Sequence, residues 1–511
     1  MATMQGTNVM CGFVVTTRIN ELETLMNKQK FRGPDDTGYW ADEKIGFGHV
    51  LLDINGEHQL QPFKTKKGNI LVFNGEMYDS NISNDTAFLG NGLDMFGFKF
   101  ISNTDFHGSF VYYDRKANKL IFGRDHFGTK PLWIHKKGTD FTITTSLRSV
   151  EHKVVNERIF NQFINNPLWI GNASPFKDTI KVAPGSTYTL DLNTNTLQHK
   201  NLWGSYRINS KKINYDDFRQ RLVSSIKKVA KNKQKTGIFL SGGLDSTCAL
   251  GILKDTDLDL TAYICDYSRG GAKYHDHNAF RKESKMAIQT CKEWGIPYKV
   301  VKLEYSSITH YDRMWLNMTH YPWVDMNRRA PRFALCKAAS RDGCKVILTG
   351  DSADELFTGY QHHDRYYEDA YCQETIEQYS IRQKWIPRQI FSKTDHQNNS
   401  LWYDLVSTSE QNILTTDQTC GMWGMESRPV FLSQSFLRYI LEINSKVKFK
   451  KHKDYQLGTY KYLLREVMKD YLPEHVRTRK QKVGWSSPWD NNHKELVRLW
   501  KLQDLEYISN L

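Results

Sequence analysis

The sequence lacks the features of a membrane-spanning chain or of a small disulfide-stapled domain. Its 511 residues contain no apolar run that approaches the ~18 residues needed to cross a bilayer. The first ten residues lack a basic start followed by an apolar core, so we expect no signal peptide. The eight cysteines are scattered. With no Cys-Xaa-Xaa-Cys pair and no histidine at zinc-finger spacing, neither a disulfide framework nor a structural zinc site is indicated. A reducing cytoplasm is the expected location.

Internal repeats and long low-complexity tracts are also missing. Hydrophobic residues make up 39% of the chain and aromatic residues 13%, which is an ordinary globular composition. The formal net charge of +14 is compatible with a nucleic acid, an anionic substrate or solubility alone. We find no arginine-rich or aromatic-interleaved recognition motif, so we predict no nucleic-acid partner, although a basic nucleic-acid-binding protein stays an alternative. The lysine-rich stretch from Lys227 to Lys235 is predicted to be a solvated face.

Two large domains are expected for a chain of this length. Short β-like runs such as Cys11–Thr16 and Gly46–Leu52 dominate up to Trp203, which predicts a sheet-rich first domain over residues 11–205. Strands and helices then alternate, and this predicts a parallel sheet with its ligand at the carboxyl edge over residues 206–511. Residues 1–10 are interpreted as a leader or as a start placed too early.

A glycine turn follows the apolar run that ends at Leu240. Its sequence is Ser-Gly-Gly-Leu-Asp-Ser, and a helical segment comes directly after it. Two glycines let backbone N–H groups approach an anion, and the helix N-terminus adds partial positive charge. The motif predicts a cradle for the phosphates of a nucleotide. Its candidate residues are Leu240, Ser241, Gly242, Gly243, Asp245 and Ser246.

A second motif, which is rich in acidic residues, follows the predicted strand 345–348. Asp351, Asp354 and Glu355 are like charges at one strand end and should repel one another, so a cation is expected beside them. Magnesium is the natural candidate, because it prefers carboxylate and phosphate oxygens. Further along, Lys461 and Arg465 are four residues apart and are predicted to share one helical face that points at departing pyrophosphate.

The first domain resembles the glutaminase domain of the class II glutamine amidotransferases, an α+β sandwich of the Ntn type. The resemblance depends on Cys11-Gly12, Arg32-Gly33-Pro34-Asp35, Asn74-Gly75-Glu76 and the block Gly123–Leu132. It implies that Cys11 attacks the side-chain amide of glutamine with its own α-amine as base. Such an amine titrates at about 7.7–8.0 and can accept a thiol proton near neutral pH. It also implies an oxyanion hole at Asn74 and Gly75, and glutamine contacts at Glu76 and Asp85.

The second domain resembles the α/β ATP-pyrophosphatase domain of glutamine-hydrolysing asparagine synthetases, and the combined resemblance runs from Cys11 to about Pro488. It implies ATP and Mg²⁺ as cofactors, with the cradle and Lys461 on the phosphates and with Asp245 and Asp354 near magnesium. Glu283 matches an acidic residue at the start of the helix after the second strand. Asp351 stands where these enzymes usually carry a glutamate that orients ammonia.

The resulting prediction is an enzyme of amino-acid biosynthesis that converts aspartate, ATP and glutamine or ammonia to asparagine, AMP, pyrophosphate and glutamate. Two positions keep alternatives open. Leu51 stands where the family has an arginine that binds glutamine, which would suit an ammonia-only synthetase with an impaired glutaminase site. Asp351 is compatible with a different carboxylate acceptor. The expected partners are small molecules, and we expect neither a nucleic acid nor a membrane as partner. The oligomeric state is left open, with a homodimer as one alternative.

Overall fold

The computed structural model describes residues 11–33, 35–54, 59–78, 82, 84–150, 153–157, 171–267, 277–304, 307–321, 326–360, 363, 392–449 and 460–479. The leader or early start predicted for residues 1–10 lies outside these ranges, as does the chain beyond Arg479. None of the helices in the described ranges is long and apolar enough to cross a membrane.

Residues up to Asn201 build two six-stranded antiparallel sheets. The first sheet has the order β10 (Thr179–Lys181), β8 (Trp133–Lys137), β9 (Asp140–Thr144), β1 (Gly12–Thr16), β3 (Gly46–Leu51) and β2 (Asp36–Ala41). The second has the order β12 (Thr196–Asn201), β11 (Ser186–Asp191), β7 (Lys119–Arg124), β6 (Phe106–Asp114), β5 (Ile70–Met77) and β4 (Phe63–Lys64).

The two sheets pack face to face, with helices on their outer sides. Alternation along β1 shows how the sequence specifies this arrangement, because successive side chains of a strand point to opposite faces. Phe13 and Val15 enter the core between the sheets, whereas Val14 packs against helix α1 (Leu22–Asn27). On the other side, α2 (Asp85–Phe96) and α3 (Phe98–Asn103) cover the second sheet. The result is a four-layered α+β sandwich, as predicted.

The described residues after Asn201 build a five-stranded parallel sheet with helices on both faces. Its order is β15 (Tyr298–Leu303), β14 (Leu260–Tyr267), β13 (Thr236–Phe239), β16 (Val346–Thr349) and β17 (Glu426–Pro429). The helices are α4 (Tyr215–Ala230), α5 (Leu244–Leu253), α6 (His277–Trp294), α7 (Ile308–Thr319), α8 (Met326–Arg341), α9 (Ala353–Phe357), α10 (His396–Asp404), α11 (Glu410–Gly421), α12 (Gln434–Glu442), α13 (Tyr462–Val467) and α14 (Glu474–Arg477).

Burial on both faces explains why the strands of this sheet read as continuous apolar runs. In β13, Ile238 belongs to one core cluster and Phe239 to another on the opposite face of the sheet. The predicted α/β parallel-sheet class is therefore confirmed. The chain leaves the second antiparallel sheet at β12 and enters the parallel sheet at β13, and the domain boundary near residue 205 stays a prediction.

Candidate functional site

Cys11 lies directly before β1, and its thiol is held by the backbone of the neighbouring strand end. The Leu52 N–H donates to Cys11 Sγ at 3.3 Å, and Sγ lies 3.6 Å from the Leu52 carbonyl oxygen. Burial, together with the carboxylates of Glu426 and Glu76, raises the pKa of Cys11 to about 12. The thiol is therefore neutral at pH 7, and its use as a nucleophile requires a base.

Asn74 and Gly75 lie in β5 and line the same cavity as Cys11, which has a volume of about 1100 Å³. The Asn74 side chain is 2% exposed, and its Nδ2 has no hydrogen-bond acceptor among the described residues. A buried donor without an acceptor is costly, so this amide fits a bound or developing oxyanion. A Cβ at Gly75 would lie 2.1 Å from the His107 carbonyl oxygen, and only glycine fits there.

Glu76 and Asp85, the two residues expected to hold glutamine, also line this cavity. Asp85 opens α2, where the Asn84 side chain caps the helix by accepting from Ala87 N at 2.7 Å. Burial raises the pKa of Glu76 well above its usual value, and the nearby Glu426 carboxylate adds to the effect. Burial raises the pKa of Asp85 as well. The cavity thus contains an acid pair that holds a proton more tightly than free carboxylates do.

The parallel sheet also contributes to the Cys11 cavity, which the sequence did not predict. Glu426 and Arg428 on its edge strand β17 line the cavity, together with one face of α4. Arg428 Nε donates to Glu426 Oε1 at 2.7 Å, and Arg428 Nη2 lies 3.4 Å from Glu76 Oε2. These residues belong to a motif visible in the sequence, Glu-Ser-Arg-Pro, but nothing in it indicates that they approach Cys11.

Buried ion pairs join the antiparallel sandwich to α11. Lys130 Nζ lies 2.9 Å from Asp417 Oδ1, and Arg32 Nη2 lies 3.8 Å from Asp417 Oδ2. Arg32 also donates through Nε to the Cys11 carbonyl oxygen at 3.3 Å. About two helical turns earlier, Glu410 pairs with Arg124 at 2.9 Å and Lys181 at 2.5 Å. Each cation comes from the sandwich and each acid from α11, so the contact is electrostatically complementary.

The same helix reaches the predicted acceptor site. Thr416, the residue before Asp417, donates to Asp351 Oδ2 at 3.2 Å and accepts from Arg332 Nε at 2.7 Å. Arg332 Nη2 lies 3.3 Å from Asp351 Oδ1. Consecutive residues of α11 therefore contact Asp351 on one side and the cations beside Cys11 on the other. The sequence placed Asp351 correctly at a strand end, but it did not identify Arg332 or Thr416.

The predicted phosphate cradle has the expected strand–turn–helix geometry, between β13 and α5. Gly242 has φ +77°, and a Cβ there would lie 2.3 Å from the Glu283 carbonyl oxygen, so the turn requires glycine. Ser241 Oγ accepts from Gly243 N and lies 3.1 Å from Ser246 Oγ. Leu240 is fully buried, and its N–H donates to the Tyr263 carbonyl at 3.0 Å. Its side chain therefore supports the turn from the core.

Lys461 joins the cradle to the acidic motif. Its Nζ contacts Asp245 Oδ2 and lies 2.7 Å from Asp354 Oδ1. Although burial alone would lower it, the two carboxylates raise the pKa of Lys461, so the ammonium is retained. The two carboxylates converge on one cation, which is the arrangement that magnesium bridged to substrate phosphates uses. Asp245 and Asp354 therefore fit the predicted metal, although the described residues contain no cluster of three or more candidate metal ligands.

Two further cations, Arg465 and Arg479, make contacts that the sequence did not predict. Lys461 is the residue before α13, with a left-handed φ of +56°, so Lys461 and Arg465 do not form a pair on one helical face. Arg465 donates instead to the carbonyls of Arg477 and Tyr460. Arg479, which the sequence analysis did not single out, donates to the Gly242 carbonyl at 3.0 Å and forms a bidentate pair with Glu283.

Comparison with known proteins agrees with this arrangement. The Glutamine amidotransferase domain family matches residues 4–203, and the Asparagine synthase family matches residues 217–506. The chain thus combines a glutamine amidotransferase domain with an asparagine synthase domain that follows it. The chain belongs to the asparagine synthase family.

Individual relatives are distant. The chain is 26% identical over 377 residues to "Amidase chry2" of Gibberella zeae, a match that covers 67% of this chain and 55% of that protein. It therefore spans about half the length of this relative. It is 21% identical over 508 residues to "Asparagine synthetase B [glutamine-hydrolyzing]" of Escherichia coli, covering 93% and 81% of the two chains. A solved Bacillus subtilis glutamine phosphoribosylpyrophosphate amidotransferase aligns over 67% of this chain and 82% of its own, with 12% identity and a TM-score of 0.29.

Proposed function

We propose that this chain transfers ammonia from glutamine to a carboxylate that it first activates with ATP, and that the acceptor is the side chain of aspartate. The products are asparagine, glutamate, AMP and pyrophosphate. The observation that carries the proposal is α11, whose Thr416 contacts Asp351 while the adjacent Asp417 pairs with Lys130 and Arg32 beside Cys11. An enzyme that makes ammonia at one site and uses it at another benefits from such a direct connection.

In the donor reaction, the Cys11 thiol attacks the amide carbon of glutamine. Because burial keeps this thiol protonated at neutral pH, a base must take its proton during the attack. The α-amine of Cys11 serves in this role when Cys11 is the first residue, either because a leader is removed or because translation starts at Met10. The unpartnered Asn74 Nδ2 and the Gly75 N–H stabilise the oxyanion, and each such donor contributes roughly 2.7–4 kcal/mol. Ammonia leaves, and water then releases glutamate from Cys11.

In the acceptor reaction, the substrate carboxylate attacks the α-phosphorus of ATP and pyrophosphate leaves. Activation is needed because a free carboxylate is a poor electrophile, whereas AMP is a good leaving group. Ser241, Gly243 and Ser246 are suited to hold the phosphates, and Lys461 neutralises charge on the departing pyrophosphate. Magnesium bound at Asp245 and Asp354 would neutralise further phosphate charge. Asp351 orients ammonia for attack on the acyl-adenylate, which expels AMP.

A second candidate is the same chemistry on another carboxylate. The observation that favours it is Asp351 itself, which stands where a longer glutamate is usual and which is bound to Arg332 and Thr416. A shorter acid held in this way leaves more room beside the adenylate. One assay separates the candidates: pyrophosphate release with a panel of carboxylic acids, with glutamine or ammonium as donor. We expect aspartate to give asparagine with both donors, and absence of asparagine from aspartate, ATP and ammonium would refute the first candidate.

A further inference from the structure

One face of α4 forms a wall of the Cys11 cavity. The wall residues of the helix recur at steps of three and four, which places them on one side, and they are Gln220, Val223, Ser224, Lys227 and Lys228. Lys231, directly after the helix, also lines the cavity. The opposite side of the helix is buried in the core through Phe218, Leu222 and Ile226. Lys233, just beyond the helix, lines the cavity as well. The lysine-rich stretch is therefore more than the solvated face that its sequence predicts.

The charges of three of these lysines are uncompensated. Lys228 Nζ lies 3.1 Å from Asp105 Oδ2. The side chains of Lys227, Lys231 and Lys233 are exposed and are neither hydrogen-bonded nor ion-paired to any residue in the described ranges. A row of free ammonium groups at the edge of a cavity favours an anionic group inside it. The cavity therefore has a cationic side that its own protein residues do not neutralise.

The remaining walls of the cavity have a different character. Leu51 contributes an apolar surface and is 7% exposed. Glu76 and Asp85 contribute carboxyl oxygens that can accept hydrogen bonds from an ammonium group. Free glutamine carries an α-ammonium and an α-carboxylate, so a site for it needs both an acidic and a cationic side. Arg428, the other cation of the cavity, is already engaged with Glu426 and Glu76.

We infer that Lys227, Lys231 and Lys233 bind the α-carboxylate of the glutamine whose amide Cys11 attacks. The inference rests on the proposed glutaminase reaction and adds the residues that select the donor. It makes the donor site composite, because the nucleophile comes from the antiparallel sandwich and the carboxylate-binding cations come from α4 and the residues after it. These lysines would take the place of the glutamine-binding arginine that the family has at the position of Leu51. The donor site could then bind a carboxylate although Leu51 itself is apolar.

The test compares ammonia release from glutamine by the full chain and by the variant Lys227→Gln/Lys231→Gln/Lys233→Gln. A matched control, Lys116→Gln/Lys137→Gln/Lys292→Gln, removes the same charge at exposed lysines that do not line the cavity. We expect the first variant to raise KM for glutamine about tenfold with a smaller change in kcat, since charge-assisted contacts of this kind act on binding. The control should keep the KM of the unmodified chain.

A second readout uses glutamine whose α-carboxylate is converted to a neutral amide. The unmodified chain should prefer glutamine over this analogue, and the cavity variant should lose most of that preference while the control retains it. Equal KM values for cavity variant and control, or an unchanged preference, would overturn the inference while leaving the glutaminase reaction intact. If the unmodified chain releases no ammonia from glutamine, the proposed donor reaction fails and this inference fails with it.

Discussion

Asp245 shows how much of the synthetase chemistry depends on single side chains. Its carboxylate belongs to the first turn of α5 and contacts Lys461, which also contacts Asp354. The two carboxylates and the one ammonium come from separate parts of the chain, and the acids are partly buried around the buried Lys461. Removing the Asp245 charge takes away one of the two carboxylates that hold Lys461 where phosphates are proposed to bind.

Asp245→Asn is therefore expected to reduce pyrophosphate release by about 100-fold or more with either nitrogen donor, as for the loss of a group that stabilises transition-state charge. The matched control is Asp255→Asn, an exposed carboxylate shortly after the same helix, paired only locally with Lys254. The control should keep full activity. Normal pyrophosphate release by the Asp245 variant would refute the assignment of the cradle.

A buried histidine gives a pH-dependent prediction. Burial lowers the pKa of His126 from 6.5 to about 4, and its Nε2 lies 3.3 Å from the Leu202 carbonyl oxygen. The unfolded chain takes up this proton below about pH 6.5, whereas the folded chain does so only near pH 4. The stability that depends on neutral His126 is thus present above pH 6.5 and is lost as the pH falls toward 4, by about 3 kcal/mol at most.

We expect the difference in unfolding free energy between the unmodified chain and His126→Asn to shrink between pH 7 and pH 4.5. Urea denaturation at a series of pH values measures it. His310→Asn, at an exposed histidine of α7, serves as control and should show no such trend. A difference that stays constant across this range would mean that His126 has the same pKa in the folded and the unfolded chain.

At the level of secondary structure, α11 contacts Asp351 through Thr416 and the cations beside Cys11 through Asp417. Its acids Glu410 and Asp417 are fully buried against cations of the antiparallel sandwich. Breaking a buried pair by removing one partner costs about 3–5 kcal/mol, whereas an exposed pair contributes about 0–1 kcal/mol. The helix should therefore be the main electrostatic connection between sandwich and parallel sheet.

Asp417→Asn is expected to lower the stability of the chain by several kcal/mol, because Lys130 and Arg32 would lose their buried counter-charge. Thermal unfolding should show the sandwich and the parallel-sheet region separating into two transitions. The control is Glu442→Gln, which breaks the exposed pair between Lys211 and Glu442. If both variants unfold as the unmodified chain does, α11 does not hold the two regions together.

At the scale of the whole molecule, the proposed donor and acceptor reactions use separate residues. Cys11 lies in the donor cavity, and Asp351 and the cradle lie at the carboxyl edge of the parallel sheet. Cys11→Ala should abolish glutamine-dependent pyrophosphate release and leave the ammonium-dependent reaction within about twofold, because only the ammonia source is removed. Cys344→Ala, at a buried cysteine before β16, is the control for loss of a thiol. Equal loss with both donors would contradict separate sites.

Several parts of this arrangement were determined by the sequence itself. Alternation in β1 and the apolar runs of β13 and β16 specify the antiparallel sandwich and the parallel sheet, because side-chain period and burial are local properties of a strand. The turn at Gly242 and the acids after β16 are likewise local, since their geometry depends on neighbouring backbone. Cys11 and Asn74-Gly75-Glu76 were recognisable as motifs for the same reason.

Contacts between residues that are distant in the chain depend on the tertiary fold. Arg428 approaches Glu76 across the contact between two sheets, Arg479 reaches Gly242, and Arg465 turns to backbone carbonyls. Lys227 and its neighbours look like a solvated helix face in the sequence but line the Cys11 cavity in the fold. Such contacts depend on how the sheets and helices pack against one another. This packing is determined by many buried side chains together, so it cannot be inferred from a local sequence pattern.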